Sequence, residues 1–221
     1  VAAAMLYCAE YWAWYHNGPS VLGPAVSDHP EYDKYETVNG QNILMQRAPF
    51  DFTWELAGVL VAMGWGNGGS PRKYVGWSHH TYRDNEYGRR TGDGPNDVTR
   101  SQFRNTILWN YLKGRAWWDQ NYMWLTEGGY ESSTLPSGGG CVYDSSQEYV
   151  QSSAIGRFGT MKQENPSIYM VTQHQINDAP IVNPDCAGGN NLYGLRRPVT
   201  LTNPPTPGPL KPAYTTWKNL T

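Results

Sequence analysis

The chain has 221 residues with a formal net charge of −2, and no block of Lys or Arg stands out, which argues against a protein that tracks nucleic-acid phosphates. Charged residues are 16% and aromatics 14%, with 10 Trp and 16 Tyr against 4 Phe; apolar bodies with polar tips suit wet binding clefts. Mean hydropathy is −0.63 and no apolar run nears the length of a membrane span, so the chain reads as one globular domain with a real core and no membrane partner.

Residues 1–16 are small and aromatic with no breaker before Asn17-Gly18-Pro19, and they predict a helix. SVLGPAV over 20–26 is a short apolar run between turn formers, a buried strand. Residues 27–49 read as polar loop. Asp51 is placed to cap a helix over 52–63, with Glu55 in its first turn. YVGWSHHTY over 74–82 is the next strand, and a charged, Gly-rich loop follows over 83–98. Thr99 to Gln102 is a capping-box pattern opening a helix to Gly114, with a stripe of Phe103, Ile107 and Tyr111. YMWLT over 122–126 is a strand ending at Glu127, and 128–144 is another long loop. Ser145 to Glu148 is a second capping box, and Val150, Ala154, Phe158 and Met161 give a helical stripe closed by Asn165-Pro166. SIYMVT over 167–172 is a strand, and an Asn/Gly/Pro-rich loop leads to a closing helix over 213–220.

Regular alternation implies a parallel sheet with crossover helices. Leu22, Val75, Leu125 and Val171 mark four strands, 53, 50 and 46 residues apart. The longer loop follows the strand in each unit, which places function at the C-terminal strand ends. Four strands do not close a (β/α)8 barrel, for which about 250 residues is typical. The chain also opens with a helix, and at Val1 rather than Met, so it is read as processed, trimmed or partial. The expected fold is α/β: a (β/α)8 TIM barrel of which residues 1–221 supply roughly the second half, strands five to eight, as one catalytic-type domain. An open four-stranded α/β sheet is the alternative; no Gly-rich phosphate loop follows any strand.

The strand ends read, in order, Gly23-Pro24-Ala25-Val26-Ser27-Asp28, Trp77-Ser78-His79-His80-Thr81-Tyr82, Trp124-Leu125-Thr126-Glu127-Gly128-Gly129-Tyr130 and Thr172-Gln173-His174-Gln175. This set resembles the glycoside hydrolases of clan A, retaining (β/α)8-barrel enzymes that include cellulase-like families. In them the fifth strand often ends in a Gly-Pro-Ala type segment, and the sixth often carries His-x-Tyr, as His80-Thr81-Tyr82 does. The seventh ends in Thr-Glu-Gly or Thr-Glu-Phe, and its Glu is the nucleophile. The resemblance implies hydrolysis of glycosidic bonds in a polysaccharide or oligosaccharide by retaining double displacement, with Glu127 as nucleophile and no cofactor. The clan's acid/base is a Glu after Asn at the end of the fourth strand, and no Asn-Glu-Pro occurs here. Glu10 lies in the opening helix, and Glu164-Asn165-Pro166 has a different order. The acid/base is therefore expected on a missing N-terminal half or on a second polypeptide that supplies the first half of the barrel. Otherwise the chain is a non-catalytic carbohydrate-binding or assembly protein on a degenerate barrel.

The residues suit that chemistry. A retaining pair of carboxyl groups stands about 5–5.5 Å apart. His80 and Tyr82 alternate onto one strand face, and the Tyr hydroxyl is expected to hydrogen-bond Glu127 and favour its ionised form. Trp77, Trp124 and Tyr130 offer flat faces for sugar rings, His174 is a further site candidate, and Asp84, Asn85 and Glu86 are placed in the following loop to bind hydroxyls. His79 and His80 point to opposite faces and do not make a metal pair, and no Cys/His cluster implies a metal. Cys141 and Cys186 lie in Gly/Asn/Asp-rich loops. They are either free thiols or a disulfide, which would suit a secreted, extracellular protein; Cys8 reads as a buried hydrophobe. Trp12, Trp14, Trp54, Trp109 and Trp217 read as helix packing, and Arg196-Arg197 as a surface pair.

Overall fold

The computed structural model describes residues 2–16, 21–23, 25–27, 34–46, 50–63, 75–88, 102–113, 122–134, 142–143, 146–176, 178, 192–197 and 206–220. The elements run α1 (Ala2–Tyr15), β1 (Val21–Leu22), β2 (Val26–Ser27), β3 (Lys34–Val38), β4 (Gln41–Gln46), α2 (Phe50–Ala62), β5 (Val75–His80), α3 (Tyr82–Tyr87), α4 (Arg104–Lys113), β6 (Met123–Glu127), β7 (Ser133–Thr134), β8 (Val142–Tyr143), α5 (Gln147–Glu164), β9 (Ile168–Val171) and α6 (Pro212–Lys218). They fall into two compact units: Val1–Glu127 with Met161–Val171, and Gly128–Thr160 with Thr172–Thr221.

The first unit is built on a parallel sheet whose strands follow chain order. β1 and β2 share one edge of β5, then come β6 and β9. The single strand expected over 20–26 is two short ones. Val21 and Leu22 pair with Val75 and Gly76, while Val26 and Ser27 pair with His79 and His80. Pro24, between them, has no N–H for a ladder. The Gly23 N–H donates to the Gly76 carbonyl at 2.7 Å, and a Cβ there would lie 3.3 Å from that oxygen and 3.4 Å from the Trp77 ring. Trp77, Met123, Leu125 and Ile168 are buried on alternating positions of the strands. In α4 Asn105, Leu108, Trp109 and Leu112 are buried at helical spacing; of the expected Phe103–Ile107–Tyr111 series, Phe103 is buried just ahead of the helix and Ile107 is half-buried. Helix α1 packs on α2 and β1 with Leu6 inward. It is apolar around most of its circumference, and Met5, Tyr11 and Tyr15 are exposed. Trp12, expected to pack, is exposed, and Cys8 is an exposed free thiol rather than a buried hydrophobe.

Three expected loops contain structure, the one over 128–144 holding β7 and β8. Residues 34–46 form an antiparallel hairpin across Asn39-Gly40, whose φ values are 52° and 76°. A two-residue turn matching the strand twist needs positive φ at both centres, and Asn-Gly supplies it. In the expected loop over 83–98, residues 82–87 form α3, which stops at Gly88 with φ 68°. Helix α4 begins at Arg104 rather than at the Thr99 capping box, and Thr99 lies outside the described residues. Its first N–H groups are taken by carboxylates from elsewhere in the chain. Asp84 Oδ1 accepts from the Arg104 N–H at 2.8 Å, and Oδ2 accepts from the Asn105 N–H at 2.9 Å and from Asn105 Nδ2 at 2.6 Å. Glu164 Oε1 accepts from the Phe103 N–H at 2.8 Å. Burial pushes the Asp84 carboxyl up, while these donors and the Arg104 charge pull it down.

Among the described residues of the second unit, β7 and β8 make a two-stranded antiparallel ladder. Buried polar side chains tie its segments. Lys211, fully buried, donates to Asp178 Oδ1 at 2.8 Å, to Ser132 Oγ at 2.7 Å and to the Leu192 carbonyl at 3.3 Å, and lies 2.7 Å from Asp178 Oδ2. Asp178 Oδ1 also accepts from the Gly194 N–H at 2.8 Å. Helix α6 lies against α5 through Ser152–Thr216 at 2.6 Å and Phe158–Trp217 ring packing at 5.6 Å. Gly159 permits the approach, since a Cβ there would meet Leu220 at 2.8 Å. Arg197, expected as an ordinary surface residue, makes a two-pronged contact with buried Glu148 at 3.0 and 3.3 Å.

Asp84→Ala is expected to cost about 2–3 kcal/mol in urea unfolding, because it orphans the first turn of α4. Lys211→Met should cost about 3–5 kcal/mol by leaving a buried carboxylate without its cation, and adding Asp178→Leu should recover most of that loss. Burial pushes the Asp178 carboxyl up to about 6, against the pull of Lys211. The folded protein then holds this proton more tightly than the unfolded chain. Its stabilising effect is complete below the ordinary carboxyl value of 3.8 and is lost as pH rises through about 6. The stability of the wild type minus that of Asp178→Asn, read by urea unfolding, should therefore fall as pH rises between those values.

Candidate active site

Two parallel strands deliver the site. β5 ends at His80 and β6 at Glu127, so both side chains leave the sheet at its C-terminal edge. Up to His79 the ladder is regular: Trp77 faces Met123, Ser78 faces Trp124 and His79 faces Leu125. The register then slips by one, passing over Thr126, and His80 faces Glu127. In an unslipped ladder Glu127 would alternate onto the face of buried Leu125. The extra residue re-aims it onto the face of His80. The Thr81 N–H donates to the Glu127 carbonyl at 2.9 Å and closes the ladder.

The Tyr82 hydroxyl donates to Glu127 Oε1, and His80 Nδ1 lies 3.5 Å from Oε2. The carboxylate side chain is 30% exposed and the imidazole 23%, so a solute can reach both. The His80 and Tyr82 rings stand nearly perpendicular with centroids 6.4 Å apart. Tyr82 does not reach Glu127 by strand alternation. The strand stops at His80, Thr81 occupies the N-cap, and Tyr82 is the first residue of α3. A carboxylate with one oxygen fixed by a phenol and the other beside an imidazole is oriented to act as nucleophile or base.

The other candidates separate. Trp77 is 1% exposed and belongs to the core, so it presents no face to a sugar. Trp124 is half-buried in mid-strand, its ring 5.1 Å from that of Tyr169, which also meets Tyr122 at 5.5 Å. Asp84 and Asn85, expected in an open loop, are fully buried on α3; Glu86 is exposed. Tyr130 and His174 belong to the second unit. There the Tyr130 carbonyl accepts from Gln151 at 2.8 Å, and the His174 ring stands edge-on to Tyr193 at 5.5 Å. Cys141 and Cys186, and with them the expected disulfide, lie outside the described residues. Sequence reasoning passed over Ser78 and Thr126, whose hydroxyl oxygens are 2.6 Å apart across β5 and β6. Their signal is a hydroxyl residue inside each of two apolar runs. Among the described residues no group of three His, Cys, Asp or Glu could hold a metal ion, and no helix is long and apolar enough to cross a membrane. Compared with models of known families, with curated proteins and with solved structures, the chain matches none at a significant level.

Proposed function

We propose that Glu127 is the nucleophile of a retaining glycoside hydrolase, and that this chain supplies the corresponding half of a (β/α)8 barrel. The observation that carries the proposal is the Glu127 carboxylate itself, at the C-terminal end of a parallel strand, with Tyr82 on one oxygen and His80 beside the other. The strand-end resemblance to clan A supports it. So does a sheet whose order follows the chain without reversal, as a barrel wall does.

In the first step a Glu127 oxygen bonds to the anomeric carbon as the glycosidic C–O bond breaks, and the leaving oxygen takes a proton from the acid/base carboxyl. In the second, water attacks the same carbon, gives its proton to that carboxylate and frees Glu127. The Tyr82 hydrogen bond holds the nucleophile in line. The acid/base belongs, in this proposal, to the first half of the barrel, on another segment or a second polypeptide. Among the described strands β9 pairs with β6 alone, which leaves Ile168–Val171 as an edge for such a partner. The protein is taken as secreted, acting on a carbohydrate.

Dinitrophenyl fluoroglycosides, with fluorine on the carbon next to the anomeric one, test this directly. Dinitrophenolate leaves with the bonding electrons and needs no acid, so the test does not depend on the second carboxyl. We expect peptide mass spectrometry to find a covalent adduct on Glu127 with the gluco, manno or xylo probe, and none in Glu127→Gln. Labelling at another residue, or none with any of the three, would overturn the assignment.

A further inference from the structure

We propose that the Ser78–Thr126 hydroxyl pair is the positioning element that aims Glu127. The inference rests on the nucleophile role proposed above. Thr126 is the residue that the register slip leaves without a partner on β5. Its Oγ1 is nonetheless 2.6 Å from Ser78 Oγ, and Ser78 is 3% exposed. The contact crosses the same two strands one step before the slip. It ties the extra residue back to the strand with which it no longer pairs.

The slip matters because strand side chains alternate. Were Thr126 to settle opposite His80, Glu127 would fall in register with Thr81, on the face of Leu125, and lose both His80 and Tyr82. Both Thr81 and Leu125 are fully buried, so that arrangement would also strand a charge in the core. An apolar pair at these positions would fill the same space without a directional bond. Two hydroxyls at 2.6 Å specify one arrangement.

The test compares Thr126→Val, which keeps the branched shape and removes the hydroxyl, with Thr126→Ser, which keeps the hydroxyl, and with Ser78→Ala. The probe is the dinitrophenyl fluoroglucoside that labels Glu127. In Thr126→Val and Ser78→Ala we expect the labelling rate at saturation to fall about 10- to 100-fold, with the half-saturating concentration within about twofold. The double variant should be no slower than the slower single, and Thr126→Ser should retain most of the rate. A full rate in Thr126→Val, an equal loss in Thr126→Ser, or losses that multiply in the double variant would overturn the proposal.

A second readout is independent of the chemistry. Glu127→Gln should shift the His80 ring resonances in NMR spectra of the wild-type background and leave them unmoved in the Thr126→Val background. If that holds while no probe labels Glu127, positioning stands and the nucleophile assignment fails. If the shift is the same in both backgrounds, positioning fails.

Discussion

The Asp84 carboxylate is the group on which the geometry of the candidate site hangs. Taking a carboxylate fully out of water is costly, and the folded chain offsets that cost with two backbone N–H groups and one side-chain amide at the start of α4. Those N–H groups are among the orphan donors of a helix N-terminus, where a negative charge is favoured. The consequence runs the other way along α3. That helix has only six residues, too short to be stable alone, and Asp84 pins its third. Tyr82, at its first residue, reaches Glu127 only because the short helix is held in place.

The C-terminal edge of the sheet shows a second constraint, that every departure from regular pairing there is matched by a specific partner. Gly23 gives its N–H to the Gly76 carbonyl just past the end of β1. The slip after His79 is bridged by Ser78 and Thr126 and closed by the Thr81 N–H on the Glu127 carbonyl. Upstream of these irregularities the β5–β6 ladder is regular, and its residues Trp77, Met123 and Leu125 are core. Aromatic side chains in mid-strand therefore pack, and the candidate site sits where the pattern breaks.

That division also sets what can be read from sequence. The parallel strands 75–80, 123–127 and 168–171 are legible because apolar runs between turn formers have few other uses, and helix α5 because Ala154, Phe158 and Met161 repeat at the helical period. The convergence of His80, Tyr82 and Glu127 is legible from strand-end position. Trp77 is misread because a Trp beside a strand end looks the same whether it faces a cleft or a core; only the register tells. The hairpin over 34–46 is missed because Lys, Glu, Gln and Asn make it polar, although Asn39-Gly40 names its turn. The start of α4 is misplaced for a different reason. Its caps, Asp84 and Glu164, lie 20 and 61 residues from their N–H partners, beyond any local pattern.

Long-range polar pairing of this kind dominates the second unit. Where its described backbone is irregular, as over 128–132, 172–176 and 192–197, N–H and carbonyl groups lack ladder partners and must find others or stay in water. Buried amides and one ammonium take that role. Gln151 Nε2 reaches the carbonyls of Tyr130, Leu192 and Gly194, Gln173 Nε2 that of Tyr193, and Lys211 Nζ that of Leu192. Each side chain donates more than one hydrogen, so a single residue can join segments far apart in the chain. The same residues read as surface in a hydropathy pattern, because Lys and Gln are rarely inside. A fold that replaces strand ladders with side-chain donors hides its core among polar letters. It also concentrates its stability in a few residues, since removing one donor exposes several buried acceptors at once.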